Sequence, residues 1–199
     1  MLQLTGLRTD VQKKGLYIGQ RQLFLDFALS NIGAQELSRP PKEYLPDELF
    51  LAVKEELKYK PEILALGGGE PLLQSAELLP LLEEMPLPLY LETNATMPDR
   101  LAEIKTYISL YALEYVPDYR QEFFDSLLLV KDEDVYIRLP VNKDTAPQEV
   151  ERLAKLLGAV RPDLPLVLEP VFGVKNYLSL QALALRHLRR VLVIPFMHI

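Results

Sequence analysis

Three contiguous glycines, Gly67, Gly68 and Gly69, followed by Glu70 and Pro71, end the apolar run Ile63-Leu64-Ala65-Leu66. Glycine has no Cβ, so a ligand can come directly against main-chain donors and acceptors there. A carboxylate beside such a loop can accept hydrogen bonds from an ammonium group, and Pro71 fixes the exit of the chain. Two phosphate-binding patterns are excluded. A P-loop needs Lys and Ser/Thr after its last glycine, and "GEPLLQ" has neither. The dinucleotide fingerprint needs glycines spaced through a turn, and these are contiguous. The competing reading is a tight strand-to-helix turn with no ligand.

The run before the glycines is one of seven strand candidates: Arg21 to Leu29, Glu62 to Leu66, Leu87 to Thr93, Tyr107 to Leu113, Asp134 to Val141, Leu164 to Pro170 and Arg190 to Pro195. Several are nearly continuous apolar segments, as parallel strands buried on both faces require. Helical spacing lies between them. Leu49, Val53 and Leu57 recur at i, i+4, i+8 behind Pro46 and Asp47. "SAELLPLLEEM" is interrupted by Pro80 and predicts a short or kinked helix. Val150, Leu153, Leu157 and Val160 share a face, as do Leu180, Leu183, Ala184 and Leu188 behind Ser179 as N-cap. Strand and helix alternate about six times, which defines an α/β domain with a parallel sheet. At 199 residues the chain is short of the ~250 typical of an eight-unit barrel. An incomplete barrel or an open sheet fits, as a single domain over 1–199. Glycines at a strand's carboxyl end then sit where α/β folds bind ligands.

Composition narrows the chemistry. With 22 Lys and Arg against 28 Asp and Glu, the net charge is −6, no footprint for nucleic acid or an anionic membrane. No apolar run approaches the ~18–20 residues of a membrane span, and "MLQLTGLRTD" has no signal-peptide pattern, so a cytoplasmic location is expected. There is no cysteine, which removes disulfides, thiolate metal sites and a Cys nucleophile together. The two histidines, His187 and His198, are too few for a His-rich metal site.

Gly68-Gly69-Glu70-Pro71 resembles the Gly-Gly-Glu-Pro motif of radical S-adenosylmethionine (SAM) enzymes, which ends the second barrel strand and holds the cofactor's methionine amino group. Further segments follow in order. "GLYIGQRQLFLDFALSN", "LYLETNATMP", "PLVLEPV" and "LQALALRHLRRVLVIPFMH" resemble successive parts of the 7-carboxy-7-deazaguanine synthases, radical SAM enzymes of the queuosine pathway. The resemblance implies an incomplete parallel (β/α)6 barrel. It implies SAM as candidate cofactor, with Gly68, Gly69, Glu70, Pro71 and Asn94 as its binding residues, and dimeric association.

The departures bear on activity. The family's three cluster cysteines align with Ser30, Ala34 and Leu37, Asn31 still following the first. Iron–sulfur clusters need thiolates; without them nothing delivers the electron that cleaves SAM. No iron–sulfur cluster, no metal site and no catalytic residue are therefore expected. The Asp-Thr after the third cysteine is Ser38-Arg39. A substrate-clamping Arg is Asp26, which would repel a carboxylate. Lys14 stands where the family has an acid, Ala95 replaces a glycine, and the terminal Pro-Gln-x-His-Lys is Pro195-Phe196-Met197-His198-Ile199. Changes this scattered are not what deliberate removal of three thiolates would leave.

Three readings follow: a radical-inactive binding or partner subunit, pairing with itself or an intact homologue; a protein still binding SAM or another small molecule at the glycines; and a scaffold whose glycines only turn the chain. Other candidates read as structural. Glu55-Glu56, Glu83-Glu84 and Asp132-Glu133-Asp134 are solvated charge. His187 belongs to a helix C-terminus, and His198 is a candidate lining residue of a relict pocket. The aromatics of "YALEYVPDYRQEFF" are either core or an apolar contact patch.

Overall fold

The computed structural model describes residues 1–33, 40–171 and 173–195. Among the described residues one sheet of nine strands forms: β1 (Leu2–Val11), β2 (Arg21–Phe27), β3 (Lys42–Tyr44), β4 (Ile63–Gly68), β5 (Leu89–Thr93), β6 (Leu110–Glu114), β7 (Val135–Val141), β8 (Leu166–Pro170) and β9 (Val191–Val193). Their order across the sheet is β3-β1-β2-β4-β5-β6-β7-β8-β9. From β2 to β9 every pairing is parallel. These seven are the seven strands expected from the sequence. The additions are β1 and β3, which pair antiparallel on the β2 side.

Among the described residues six α-helices fill the crossovers: α1 (Pro46–Glu56), α2 (Ser75–Leu82), α3 (Pro98–Ile104), α4 (Arg120–Val130), α5 (Pro147–Val160) and α6 (Tyr177–Ala184). Leu49 and Val53 of α1 and Val150, Leu153 and Leu157 of α5 are buried as expected, whereas Leu57 follows α1 in a 3-10 turn and, like Val160, is only partly buried. Pro80 lies inside the eight-residue α2. One cap differs: α6 starts after Asn176, which puts Ser179 within its first turn. The aromatic segment after β6 is α4 and its approach. Tyr111, Tyr115 and Phe123 are fully buried, so the core reading holds for them.

All six helices pack against the same face of the sheet, since each adds buried residues to one cluster with the outward strand residues Leu64, Leu66, Leu91, Leu113, Ile137 and Leu168. Side chains alternate along a strand, so the intervening residues face away from the helices. They form a separate cluster of Ile63, Ala65, Tyr90, Leu110, Ala112, Tyr136 and Val167, joined by Leu16 and Tyr17 of the β1–β2 loop. Helices on one face and a second, buried face behind it describe a partial barrel rather than a doubly wound sheet. The loop fills the amino-terminal end of the interior. Tyr17 packs against Tyr90 and Tyr136, whose hydroxyls meet at 2.6 Å. Among the described residues no helix is long and apolar enough to cross a membrane.

Gly68 ends β4 with φ of +85°, and a Cβ there would lie 2.8 Å from the Phe27 amide nitrogen. Both the left-handed backbone and the contact demand glycine. Gly68→Ala is expected to cost at least about 1–3 kcal/mol, the strain of such a backbone on a side-chain-bearing residue. Urea denaturation measures it; an unchanged midpoint would contradict this account of the turn.

Candidate functional site

Above the apolar interior layer, toward the carboxyl ends of the strands, the same face turns polar. Single charged residues stand on consecutive strands: Glu92 on β5, Glu114 on β6, Arg138 on β7 and Glu169 on β8. Arg138, 6% exposed, donates from Nε and Nη2 to Glu169 at 2.7–3.1 Å. Its Nη2 also lies 3.3 Å from Glu114, and its Nη1 3.8 Å from Glu92. From the β1–β2 loop, Lys14 Nζ reaches Glu92 Oε2 at 2.7 Å, and buried Gln12 donates to Glu92 Oε1 at 2.8 Å. Burial would raise the Glu92 carboxyl, but Lys14 and Arg138 more than reverse this and hold it at about 2. Glu92 is therefore an anion at any physiological pH.

Lys14, Glu92, Glu114 and Arg138 border a cavity of ≈ 270 Å³, also lined by Ser30, Ile32, Gly68, Gly69, Thr93, Asn94 and Val116. Of the five residues singled out from the sequence, Gly68, Gly69 and Asn94 line it. Glu70 and Pro71 are buried and do not. The Glu70 carboxylate accepts from Leu72 N at 3.0 Å, Thr93 Oγ1 at 2.8 Å and Asn94 N at 2.9 Å. It ties the β4 turn to the tail of β5. The Gly69 and Glu70 amides donate to Phe27 and Leu29 carbonyls. The Glu70 carboxylate and the Gly69 and Glu70 amides are thus engaged within the protein.

Asn94 also secures the neighbouring loop. Its Nδ2 donates to Asn31 Oδ1 at 2.8 Å, and Asn31 donates to Thr96 Oγ1 at 2.7 Å. Ser30, beside Asn31, donates to the Ile32 carbonyl at 3.0 Å and accepts from its amide at 3.3 Å. Its hydroxyl is satisfied locally. Ala34 and Leu37, like Ser38 and Arg39, lie outside the described residues, and neither an Ala nor a Leu side chain has a donor atom. Among the described residues no group of three or more His, Cys, Asp or Glu is placed to hold a metal. This residue set does not fit an iron–sulfur cluster.

Asp26 differs from the expectation of a bare repelling charge. It is ion-paired with Arg8, delivered from β1, whose guanidinium also lies 5.6 Å from the Phe24 ring centroid. Gly6 makes the room: a Cβ there would lie 2.7 Å from both partners. His187 follows α6 on the surface, 3.7 Å from Glu151, away from the cavity. His198 lies outside the described residues. The acidic clusters are largely exposed, as expected. Arg138, Glu114 and Glu169 escaped sequence reading. Their one sequence signal is a single charge inside each otherwise apolar strand.

No family model matches the chain. It is 27% identical to a 7-carboxy-7-deazaguanine synthase of Geobacter sulfurreducens across 96% of this chain and 93% of that protein. It is 30% identical to one of Methanothermobacter thermautotrophicus, over 51% of this chain and 45% of the other. A crystal structure of QueE from Escherichia coli superposes with a TM-score of 0.59 at 15% identity, covering 96% and 92% of the two chains. The fold is thus the mostly parallel partial barrel of the radical SAM type. More narrowly, the chain is related to the 7-carboxy-7-deazaguanine synthases and carries no cysteine at all.

Two outcomes follow for the polar layer. Replacing Arg138 by Met leaves buried carboxylates without their cation, a loss of about 3–5 kcal/mol for such groups; chemical denaturation reads it, and a change under 1 kcal/mol would contradict the described role. Glu70 behaves differently. Burial outweighs its three donors and raises its carboxyl from 4.5 to about 7. The folded state then binds more protons between those values, so Glu70 stabilises fully below pH ~4.5, and this contribution is lost as pH rises through ~7. The stability difference between wild type and Glu70→Gln should change by roughly 2–3 kcal/mol across that window. A flat difference would exclude the shift.

Proposed function

We propose that this chain is a cluster-free relative of the 7-carboxy-7-deazaguanine synthases that performs no radical chemistry and acts as a binding or partner subunit. The carrying observation is the first cluster position. Ser30 closes its hydroxyl on Ile32 in a chain with no thiolate anywhere. Its candidate partners are a second copy or an intact three-cysteine homologue. A queuosine-related pathway is the natural setting by kinship alone.

A second reading is favoured by the retained cavity. At ≈ 270 Å³ it falls just below the ~300–1,000 Å³ of drug-sized pockets, so it suits a ligand of about amino-acid size. SAM is one candidate. Cluster iron would ordinarily chelate its methionine amine and carboxylate, so binding here would need compensation from Lys14, Arg138 or Glu114. The scaffold reading draws on Gly68, whose conformation the fold itself demands.

Anaerobic reconstitution with iron and sulfide is expected to leave no cluster absorption near stoichiometry; such a band would sink the leading proposal. Calorimetric titration with SAM and with 6-carboxytetrahydropterin separates the partner role from the small-molecule reading. No heat at millimolar ligand favours a partner role, and saturable heat favours the small-molecule site.

A further inference from the structure

The Lys14–Glu92 ion pair borders two hollows. One is the cavity described above. The second, ≈ 200 Å³, is lined as well by Arg8, Phe24 and Asp26. Lys14, Gly68 and Glu92 line both. The loop that brings Lys14 is anchored to the carboxylate it neutralises. Gln12 Nε2 donates to Glu92, and Gln12 Oε1 accepts from the Lys13 and Lys14 amides at 2.9 and 3.3 Å. Lys14 and Arg138 face Glu92, Glu114 and Glu169, two cations against three anions.

We propose that Lys14 is a specificity-determining residue: a tethered ammonium that occupies the cation site at Glu92, keeps the two hollows apart and excludes ligands bearing an organic cation such as an amidinium. This rests on the cavity being a binding site that operates without a cluster. A tethered group competes at high effective concentration, so an incoming cation must displace Lys14 and then meet Arg138 beside the same carboxylate. Without Lys14 the balance becomes one cation against three anions. The two hollows then open onto a single carboxylate suited to a bidentate donor.

The test uses benzamidine, a planar cation, and benzamide, its neutral counterpart, titrated calorimetrically into wild type, Lys14→Met, Lys14→Arg and the double variant Lys14→Met/Glu92→Gln. Expected are no detectable binding to wild type or Lys14→Arg, and benzamidine binding at least tenfold tighter in Lys14→Met. Benzamide should be unaffected, and the double variant should lose the gain. The Glu92 carboxyl, followed by NMR, should titrate above about 2 once Lys14 is gone. If Lys14→Met does not fold, Lys14→Gln carries the same comparison. The proposal is overturned if wild type binds benzamidine as tightly as the variant. Equal gains for both probes would make Lys14 a space-filler only. It also fails if a folded variant with a raised Glu92 carboxyl binds neither probe. Cluster assembly in wild type would instead defeat the cluster-free reading, and absorbance reports that separately.

Discussion

A guanidinium buried inside a barrel is tolerable only if its charge is answered on several sides, and Arg138 is answered from three other strands. Glu92, Glu114 and Glu169 each reach it from the interior face, so the charge cluster presupposes the correct register of β5, β6, β7 and β8. A one-residue slip of any of these would turn its charge toward the helices and bury it among leucines, with no partner. The polar layer therefore acts against misregister as much as it shapes a pocket. Lys14 and Gln12 extend that control to the β1–β2 loop, which must fold back into the barrel to complete the neutralisation of Glu92.

Much of the barrel was legible because its parallel strands are near-continuous apolar runs separated by helical spacing. The two antiparallel strands were not. In β1 the register shifts between Leu4 and Gly6, which breaks the alternation a reader would follow. In β3 there are only three residues, two of them charged, and pairing with Leu2, Gln3 and Leu4 makes them a strand. Helix α3 has seven residues, fewer than two full turns. Helix α4 was hidden by aromatics whose burial depends on partners elsewhere, as in the edge-on contact of Phe123 with Tyr115. The glycine-rich strand end could be found from its own residues. The Arg138 cluster could not, because its members lie on four strands and only the fold gathers them.

Closed pairs recur around the interior of this chain: Lys14 with Glu92, Arg8 with Asp26, and Ser30 with its own loop. Each pair satisfies groups that a ligand or cofactor would otherwise meet. The interior thus remains soundly packed while little of it stays unengaged.

The Glu70 carboxylate and the left-handed Gly68 carry a consequence for how such sequences are interpreted. Both belong to the architecture of the strand end: one staples two loops, the other lets β4 pass close to β2. A Gly-Gly-Glu-Pro signature therefore has a folding role of its own, independent of any cofactor. As a diagnostic it identifies descent and topology, and its power to report chemistry resides in the cysteines that accompany it.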